Sequence, residues 1–78
     1  MGQGLRSRDH RAFRAVLVGL RKARGMTQDD LAGALGWDRS YLSRVETGER
    51  TCSVWEFMAI CRALRESPSK VMRRIENW

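Results

Sequence analysis

The sequence predicts an all-α domain built from five short helices. In five segments the apolar residues recur three or four positions apart, the spacing that places them on one face of an α-helix. No segment alternates apolar and polar residues in the manner of a strand. Serine, threonine or glycine stands between the segments, where helices begin and end. The 78 residues suffice for one small domain, and no linker separates two.

A flexible basic arm is expected at residues 1–8, which have no periodic apolar face, and the folded domain at residues 9–78. Ser7 or Asp9 can cap the first helix, and Gly25 follows its end. The apolar stripe of this helix consists of Phe13, Val16, Leu17 and Leu20.

The second helix is expected to begin after Thr27 and to end at Gly36. Thr27 and Asp30, three residues apart, form a near capping box, and Leu31 and Leu35 point to one side. A glycine suits the end of the helix because the left-handed conformation costs little without a Cβ atom.

Asp38 is expected to cap a third helix from about Arg39 to Glu46, which Gly48 closes. A rotation of about 100° per residue puts Leu42 and Val45 on its inner face. The outer face is wholly polar and carries Arg39, Ser40, Ser43, Arg44 and Thr47. Two helices joined by a tight turn, the second with a polar outer face, are the layout of a helix-turn-helix. Its second helix enters the DNA major groove.

The last two helices also have start signals. Ser53 and Glu56 form a capping box before the fourth helix, and Ser67-Pro68 marks the start of the fifth. The core stripe of the fourth helix is Phe57, Ile60, Cys61 and Leu64.

The fifth helix carries an apolar stripe that is either core or a dimer seam. Five short helices cannot hide every apolar side chain, so we expect a dimer seam, with Met72 turned toward the core. The residues of the seam are Val71, Ile75 and Trp78.

Composition favours a polyanion as partner and excludes several other classes. Lys and Arg total 15 against 9 Asp and Glu, a formal net charge of +6. Cys52 and Cys61, with His10 elsewhere, are too few for a metal site, so we expect no metal, no cofactor and reduced thiols, as in a cytoplasm. No apolar run approaches the roughly 20 residues that span a membrane. No nucleophile–base pair, carboxylate pair or phosphate loop suggests an enzyme.

The segment from Thr27 to Gly48 resembles the helix-turn-helix of the phage-repressor and Cro-type family, and the similarity extends over about residues 13 to 72. The resemblance implies a compact, lambda-repressor-like five-helix fold that binds operator DNA, usually as a dimer, and regulates transcription. A shorter stretch, 40–43, also resembles the controller proteins of restriction-modification systems. The matching pattern is Thr27-Gln28, Leu31-Ala32, Leu35-Gly36, Leu42-Ser43, Val45-Glu46 and Gly48.

By this resemblance, Arg39, Ser40 and Arg44 match the base-contacting positions. Arginine can donate two hydrogen bonds to guanine O6 and N7. The resemblance also suggests an ion pair between Arg21 and Glu46. Residues expected to contact phosphate are Gln28, Thr27, Ser43, Tyr41, Thr47 and Arg50.

Some of these assignments leave alternatives open. Ser40 could bind phosphate instead of a base, Tyr41 could be half-buried packing, and Trp37 is expected to pack at the edge of the turn. Arg6 and Arg8 could reach DNA, or the arm could be disordered. The family often has Gly or Asn after the fourth helix, where this chain has Arg65 and Glu66, so the sequence offers no C-cap there.

Together these observations predict a sequence-specific regulator of transcription that binds double-stranded DNA as a homodimer on an inverted repeat. Repression is the default and activation stays open. One alternative is a protein-interaction module of the same fold, such as an antitoxin-like or adaptor domain. Membrane-surface binding is disfavoured because the apolar stripes are needed for the core.

Overall fold

The computed structural model describes residues 7–78, and five α-helices form its architecture. Residues 1–6, with Arg6 and most of the expected arm, lie outside the described residues. The described range contains no strand, so the prediction of an all-α, five-helix domain is confirmed. None of the helices in this range has the length and apolar character needed to span a bilayer. The helices are α1 (Arg8–Ala23), α2 (Gln28–Leu35), α3 (Arg39–Thr47), α4 (Val54–Ala63) and α5 (Pro68–Glu76).

Helix α1 begins at Arg8, a residue that we expected to belong to the arm. Ser7 is its N-cap, and the Ser7 Oγ accepts a hydrogen bond from the His10 backbone N–H at 3.0 Å. Arg8 therefore belongs to α1 rather than to the arm. The hydroxyl of Ser7 satisfies a backbone donor that would otherwise have no partner in the first turn.

A single apolar core joins the five helices. Helix α1 packs against α3 and α5, and α4 packs against α2 and α5, so the α2–α3 pair and α5 lie on different sides of the core. The core holds the helix-turn-helix from behind and leaves its outer face free. Its largest fully buried side chains are Leu31, Leu42, Ile60, Leu64, Val45, Val71 and Cys61.

The predicted dimer seam on α5 is wrong for two of its three residues. Val71 is 1% exposed and Ile75 is 6% exposed, and both belong to the core of their own chain. Met72, which we expected to turn inward, is 51% exposed. The stripe of α5 faces α1 and α4, and this rotation turns Met72 outward. Trp78 is 48% exposed, with the Arg8 guanidinium 5.7 Å from its ring centroid.

Two of the predicted capping interactions form as expected. Asp30 N donates to Thr27 Oγ1 at 3.0 Å, and Thr27 N donates to Asp30 Oδ2 at 2.9 Å. Ser53 and Glu56 make the same reciprocal pair at 3.1 and 2.8 Å. Asp38 occupies the N-cap of α3, but its side chain makes no capping hydrogen bond. The expected side-chain cap at Asp38 is therefore wrong, and only its backbone carbonyl accepts from the first turn of α3.

The end of α4 is closed by a residue in the left-handed conformation. Arg65 has φ +59°, a backbone conformation that glycine adopts at lower energy than any residue with a Cβ atom. Its backbone N–H donates to Arg62 O at 2.9 Å, and that of Glu66 donates to Cys61 O at 2.8 Å. The Nη2 atom of Arg24 donates to Arg65 O at 3.2 Å. Backbone geometry thus supplies the C-cap that the sequence did not suggest.

Candidate nucleic-acid interface

The turn between α2 and α3 fixes the angle of α3, the candidate DNA-reading helix, which is called the reading helix below. Gly36 has φ +70°, and the backbone N–H of Trp37 donates to Ala32 O at 2.9 Å. Trp37 is half-buried against the core, and its ring meets that of Tyr41 edge-on, with centroids 4.9 Å apart. Trp37 therefore packs at the edge of the turn, as expected, and braces the first turn of α3.

The outer face of α3 is exposed and polar. Leu42 and Val45 are each 1% exposed and anchor the inner face. The structure leaves Arg39, Ser40 and Arg44 together on the solvent side. Thr47 is exposed on the same side, whereas Ser43 is half-buried.

Arg39 has only a loose partner. Its side chain is 64% exposed, and its Nε lies 3.5 Å from Asp29 Oδ1 on α2. An ion pair between two exposed side chains contributes at most about 1 kcal/mol, so it holds Arg39 weakly. A base edge that offers two acceptors can therefore displace Asp29 at small cost.

A buried ion pair ties α3 to α1. Arg21 Nε donates to Glu46 Oε2 at 2.8 Å, and its Nη2 donates to Oε1 at 3.0 Å. The two side chains are 9% and 8% exposed. The third nitrogen, Nη1, donates to Met26 O at 2.9 Å, so the guanidinium also holds the loop before α2. A planar, two-point pair of this kind fixes orientation as well as distance.

Gln28 joins the same carboxylate. Its Nε2 donates to Glu46 Oε1 at 2.9 Å, a contact across 18 residues that sequence reasoning missed. Gln28 is the first residue of α2, beside backbone N–H groups that have no partner within the helix. Glu46 on α3 thus accepts hydrogen bonds from both α1 and α2, and the expected phosphate position is locked to the reading helix.

Arg14 contacts the end of α3 beside the candidate interface, a contact that sequence reasoning missed. Its Nη1 donates to Thr47 O at 3.3 Å, and its Nε is buried without a hydrogen-bond partner. A Cβ atom at Gly48, where φ is +88°, would lie 3.0 Å from Arg14 Nε. Arg14 thus packs on the glycine that ends α3. It stands seven residues before Arg21, two helical turns on the same face of α1, which is a signal that the sequence did contain.

Tyr41 links the reading helix to α4. Its hydroxyl donates to Glu56 Oε2 at 2.8 Å, and the Arg50 guanidinium lies 4.8 Å from its ring centroid. Partial removal from water raises the pKa of the Tyr41 hydroxyl, and the Glu56 carboxylate raises it further. The Ser53 N–H, followed by the Tyr41 hydroxyl, lowers the pKa of Glu56. The Tyr41 hydroxyl is therefore engaged within the chain, while Arg50 is exposed above its ring.

Burial keeps both thiols in the protonated form. Cys52 and Cys61 are both free, and burial raises the pKa of each to about 11. Both are thus protonated at neutral pH, and a protonated thiol is a poor nucleophile. Across residues 7–78, no group of three or more His, Cys, Asp or Glu side chains is placed to hold a metal ion.

Comparisons with known proteins agree with this geometry. The family model described as "Helix-turn-helix domain" matches residues 12–73. An XRE-family like protein from Pseudomonas syringae pv. tomato str. DC3000 is 32% identical, with a TM-score of 0.87 over 96% of this chain and 92% of that chain. The restriction-modification controller protein C.AhdI from Aeromonas hydrophila is 36% identical, with a TM-score of 0.75 over 81% of this chain and 96% of that chain.

A third solved structure, the clp gene regulator ClgR from C. glutamicum, is 29% identical, with a TM-score of 0.80 over 88% of this chain and 90% of that chain. A comparison with the curated proteins gave no match. The family match covers most of the folded chain, and two of the structures exceed 30% identity over most of both chains. The chain therefore belongs to the Cro-type helix-turn-helix family, as an XRE-like DNA-binding regulator of transcription.

Proposed function

We propose that this protein binds one operator sequence in double-stranded DNA as a homodimer and represses transcription by blocking polymerase. The observation that carries the proposal is the outer face of α3. Arg39, Ser40 and Arg44 are exposed side by side, while Leu42, Val45 and the bonds of Glu46 hold the helix from behind. In this proposal the exposed side chains bind DNA and the buried ones position the helix, so the proposed role is recognition of DNA without catalysis.

Base reading is assigned to Arg39, Ser40 and Arg44, which face the major groove when α3 enters it. Arg39 and Arg44 can each make paired hydrogen bonds to guanine, which discriminate by about 1–3 kcal/mol. Ser40 can bond either a base edge or a phosphate.

Phosphate contacts set the register on the duplex. Gln28 and the backbone N–H groups at the start of α2 form one such site, and Arg50 forms another. Thr27, Ser43 and Thr47 are assigned to the same role. The Tyr41 hydroxyl is bonded to Glu56. Tyr41 therefore supports phosphate binding mainly through the ring on which Arg50 rests.

The first experiment is selection from a pool of random duplexes at about 150 mM salt, since affinities without a stated salt concentration cannot be compared. We expect enrichment of a two-fold symmetric motif with half-sites about 34 Å apart, one helical turn. Salt-sensitive binding without an enriched motif would favour the alternative, a protein-interaction module of the antitoxin-like or adaptor kind.

Two substitutions separate base readers from phosphate contacts. Arg44→Ala should lose affinity mainly for the selected site, because a base contact carries sequence information. Arg50→Ala should weaken binding to selected and random duplexes about equally and reduce the salt slope by about one.

The matched control is Arg73→Ala. Arg73 is an exposed arginine on α5, which packs mainly against α1 and α4. Equal losses on both kinds of DNA for Arg44→Ala and Arg50→Ala would contradict the assigned roles. A large loss for Arg73→Ala would show that overall charge, rather than the interface, governs binding.

A further inference from the structure

An acidic side chain lies within the candidate DNA interface, beside groups that are assigned to bind phosphate and bases. Asp29 is the second residue of α2, next to Gln28, and its side chain is 76% exposed. Its Oδ1 lies 3.5 Å from Nε of Arg39, the first residue of α3. A phosphate bound at Gln28 would meet the charge of this carboxylate, and like charges repel.

The cap of α2 uses a different carboxylate. Asp30 fills that role, because its Oδ2 accepts the hydrogen bond of the Thr27 backbone N–H at 2.9 Å. A second acid in the first turn adds only a small interaction with the helix dipole, which salt weakens further. Among the residues that the structure describes, Asp29 forms an ion pair with Arg39 alone. This pair therefore distinguishes Asp29 from the capping acid.

We propose that Asp29 is a positioning residue that raises the specificity of this chain for its operator. On any duplex the carboxylate repels phosphate and partly neutralises Arg39, which lowers affinity. On a duplex with guanine at the position that Arg39 reads, the carboxylate also holds the guanidinium in place, which offsets that loss. Specificity is a difference between affinities, so a penalty that falls mainly on random DNA increases it. This role of Asp29 rests on the proposed function, in which Arg39 reads a base.

The atom at which the pair forms supports the positioning effect. The carboxylate approaches Arg39 at Nε, on the side of the guanidinium, whereas Nη1 and Nη2 stand at its end. Two guanidinium nitrogens suffice to read guanine O6 and N7. Displacement of Asp29 costs little, but a guanine that takes Nη1 and Nη2 leaves Nε with its partner. Arg39 then has less side-chain freedom to lose when it binds the base.

A weak pair can act in this way because the two helices that carry it are already fixed. Gln28 Nε2 donates to Glu46 Oε1 at 2.9 Å and so joins the first turn of α2 to α3. The pair of Asp29 with Arg39 therefore has to orient only one side chain, not a helix.

Salt at physiological concentration does not remove the repulsion. Charges interact over about 8 Å at an ionic strength of about 0.15 M. Consecutive Cα atoms are about 3.8 Å apart, so a phosphate held at Gln28 lies within reach of the charge on Asp29.

The test compares the wild type with Asp29→Asn on the selected operator and on a random duplex of the same length. Fluorescence anisotropy at about 150 mM salt gives both affinities. Asp29→Asn should raise affinity for the random duplex about fivefold and leave affinity for the operator about the same, so that the ratio of the two falls about fivefold. Asp29→Glu keeps the charge and should retain most of the ratio.

A double substitution separates positioning from repulsion. Without the Arg39 guanidinium only the repulsion is left. Asp29→Asn added to Arg39→Ala should therefore raise affinity for both duplexes equally and leave the ratio unchanged. Thermal melting of each variant checks that the fold is retained.

Glu76→Gln is the matched control. It removes one negative charge from an exposed side chain on α5, so any effect of net charge should be equal on the two duplexes. A fall in the ratio as large as that of Asp29→Asn would assign the effect to net charge and overturn the role of Asp29.

The failure of this role and the failure of the proposed function give different results. If selection with the wild type enriches no motif, the proposed function fails and the role of Asp29 falls with it. If a motif is enriched but Asp29→Asn leaves the ratio of affinities unchanged, only the role of Asp29 is overturned. A ratio that falls equally in the Arg39→Ala background would overturn it as well, because Asp29 would then not act through Arg39.

Discussion

At the scale of single residues, Glu46 joins the reading helix to both of its neighbouring helices. This side chain belongs to α3 but accepts hydrogen bonds from Arg21 on α1 and Gln28 on α2, at 2.8 to 3.0 Å. One carboxylate thus fixes the relative positions of three helices. A helix that is already held in place has less freedom to lose when it binds, which favours affinity.

Arg21→Met should leave the Glu46 carboxylate buried without its cation. Because an unpaired buried charge is costly, we expect the free energy of unfolding to fall by about 3 kcal/mol. The double substitution Arg21→Met with Glu46→Met should recover most of that loss, since packed apolar side chains often replace a buried pair without cost. Urea unfolding followed by circular dichroism measures both variants. A double variant as unstable as the single one would show that the carboxylate is not the source of the loss.

Sequence reasoning found some of these contacts and missed others for a physical reason. Arg21 and Glu46 stand at the edges of their apolar stripes and match a family pattern, so their pair was predictable. The spacing of Arg14 and Arg21 placed both on one face of α1, but the bonds of Gln28 to Glu46 and of Arg14 to Thr47 were not predictable. They depend on how closely α2 and α1 approach α3, and residue spacing within one helix does not contain that distance.

At the scale of helices, starts and ends were predictable where the signal is local. Thr27 with Asp30, and Ser53 with Glu56, are pairs three residues apart, and both capping boxes form. The face that α5 buries was not predictable in the same way. Its stripe was visible, but only packing against α1 and α4 decides that Val71 turns inward.

The end of α4 offers a stabilising substitution. Arg65 has φ +59°, a conformation that costs a residue with a Cβ about 1 kcal/mol or more. Arg65→Gly removes that cost but makes the unfolded chain more flexible, so we expect a net gain of about 0.5 kcal/mol. Thermal melting should show a rise in Tm of a few degrees.

Gly36→Ala is a control in the opposite direction, because it adds a Cβ atom where the backbone is left-handed. Gly36 has φ +70°, and an added Cβ atom would meet no other atom within 4 Å. It should lower stability by about 1 kcal/mol through backbone strain alone. If Arg65→Gly lowers Tm as much as Gly36→Ala does, the contacts of the Arg65 side chain outweigh its strain.

At the scale of the whole molecule, the fold separates two surfaces of different chemistry. The polar face of α3 and an uncharged apolar groove, lined among others by Phe57 and Met58 of α4 and by Met72 of α5, are presented by different helices around one core. The net charge predicted a polyanion as partner but could not locate these surfaces, because charge is a sum over the chain. Their separation leaves the face of α3 that we propose for DNA binding clear of the apolar groove.

The capping carboxylates make the stability of the whole domain depend on pH in the acid range. The Thr27 backbone N–H lowers the pKa of Asp30, and the Ser53 N–H lowers that of Glu56. Because each pKa is lower in the folded than in the unfolded state, each carboxylate stabilises the fold at pH values above its ordinary, unfolded-state pKa. This contribution is lost as the pH falls through the lowered folded values.

We therefore expect the free energy of unfolding to decline below about pH 4, where ordinary carboxyl groups begin to take up protons. The double variant Asp30→Asn with Glu56→Gln should be less stable at pH 7 and should lose less on acidification. Urea unfolding at a series of pH values gives both slopes. Glu76→Gln, at an exposed acid without a hydrogen bond or ion pair among residues 7–78, should leave the slope unchanged. Equal acid slopes for the wild type and the double variant would assign the loss to other carboxylates.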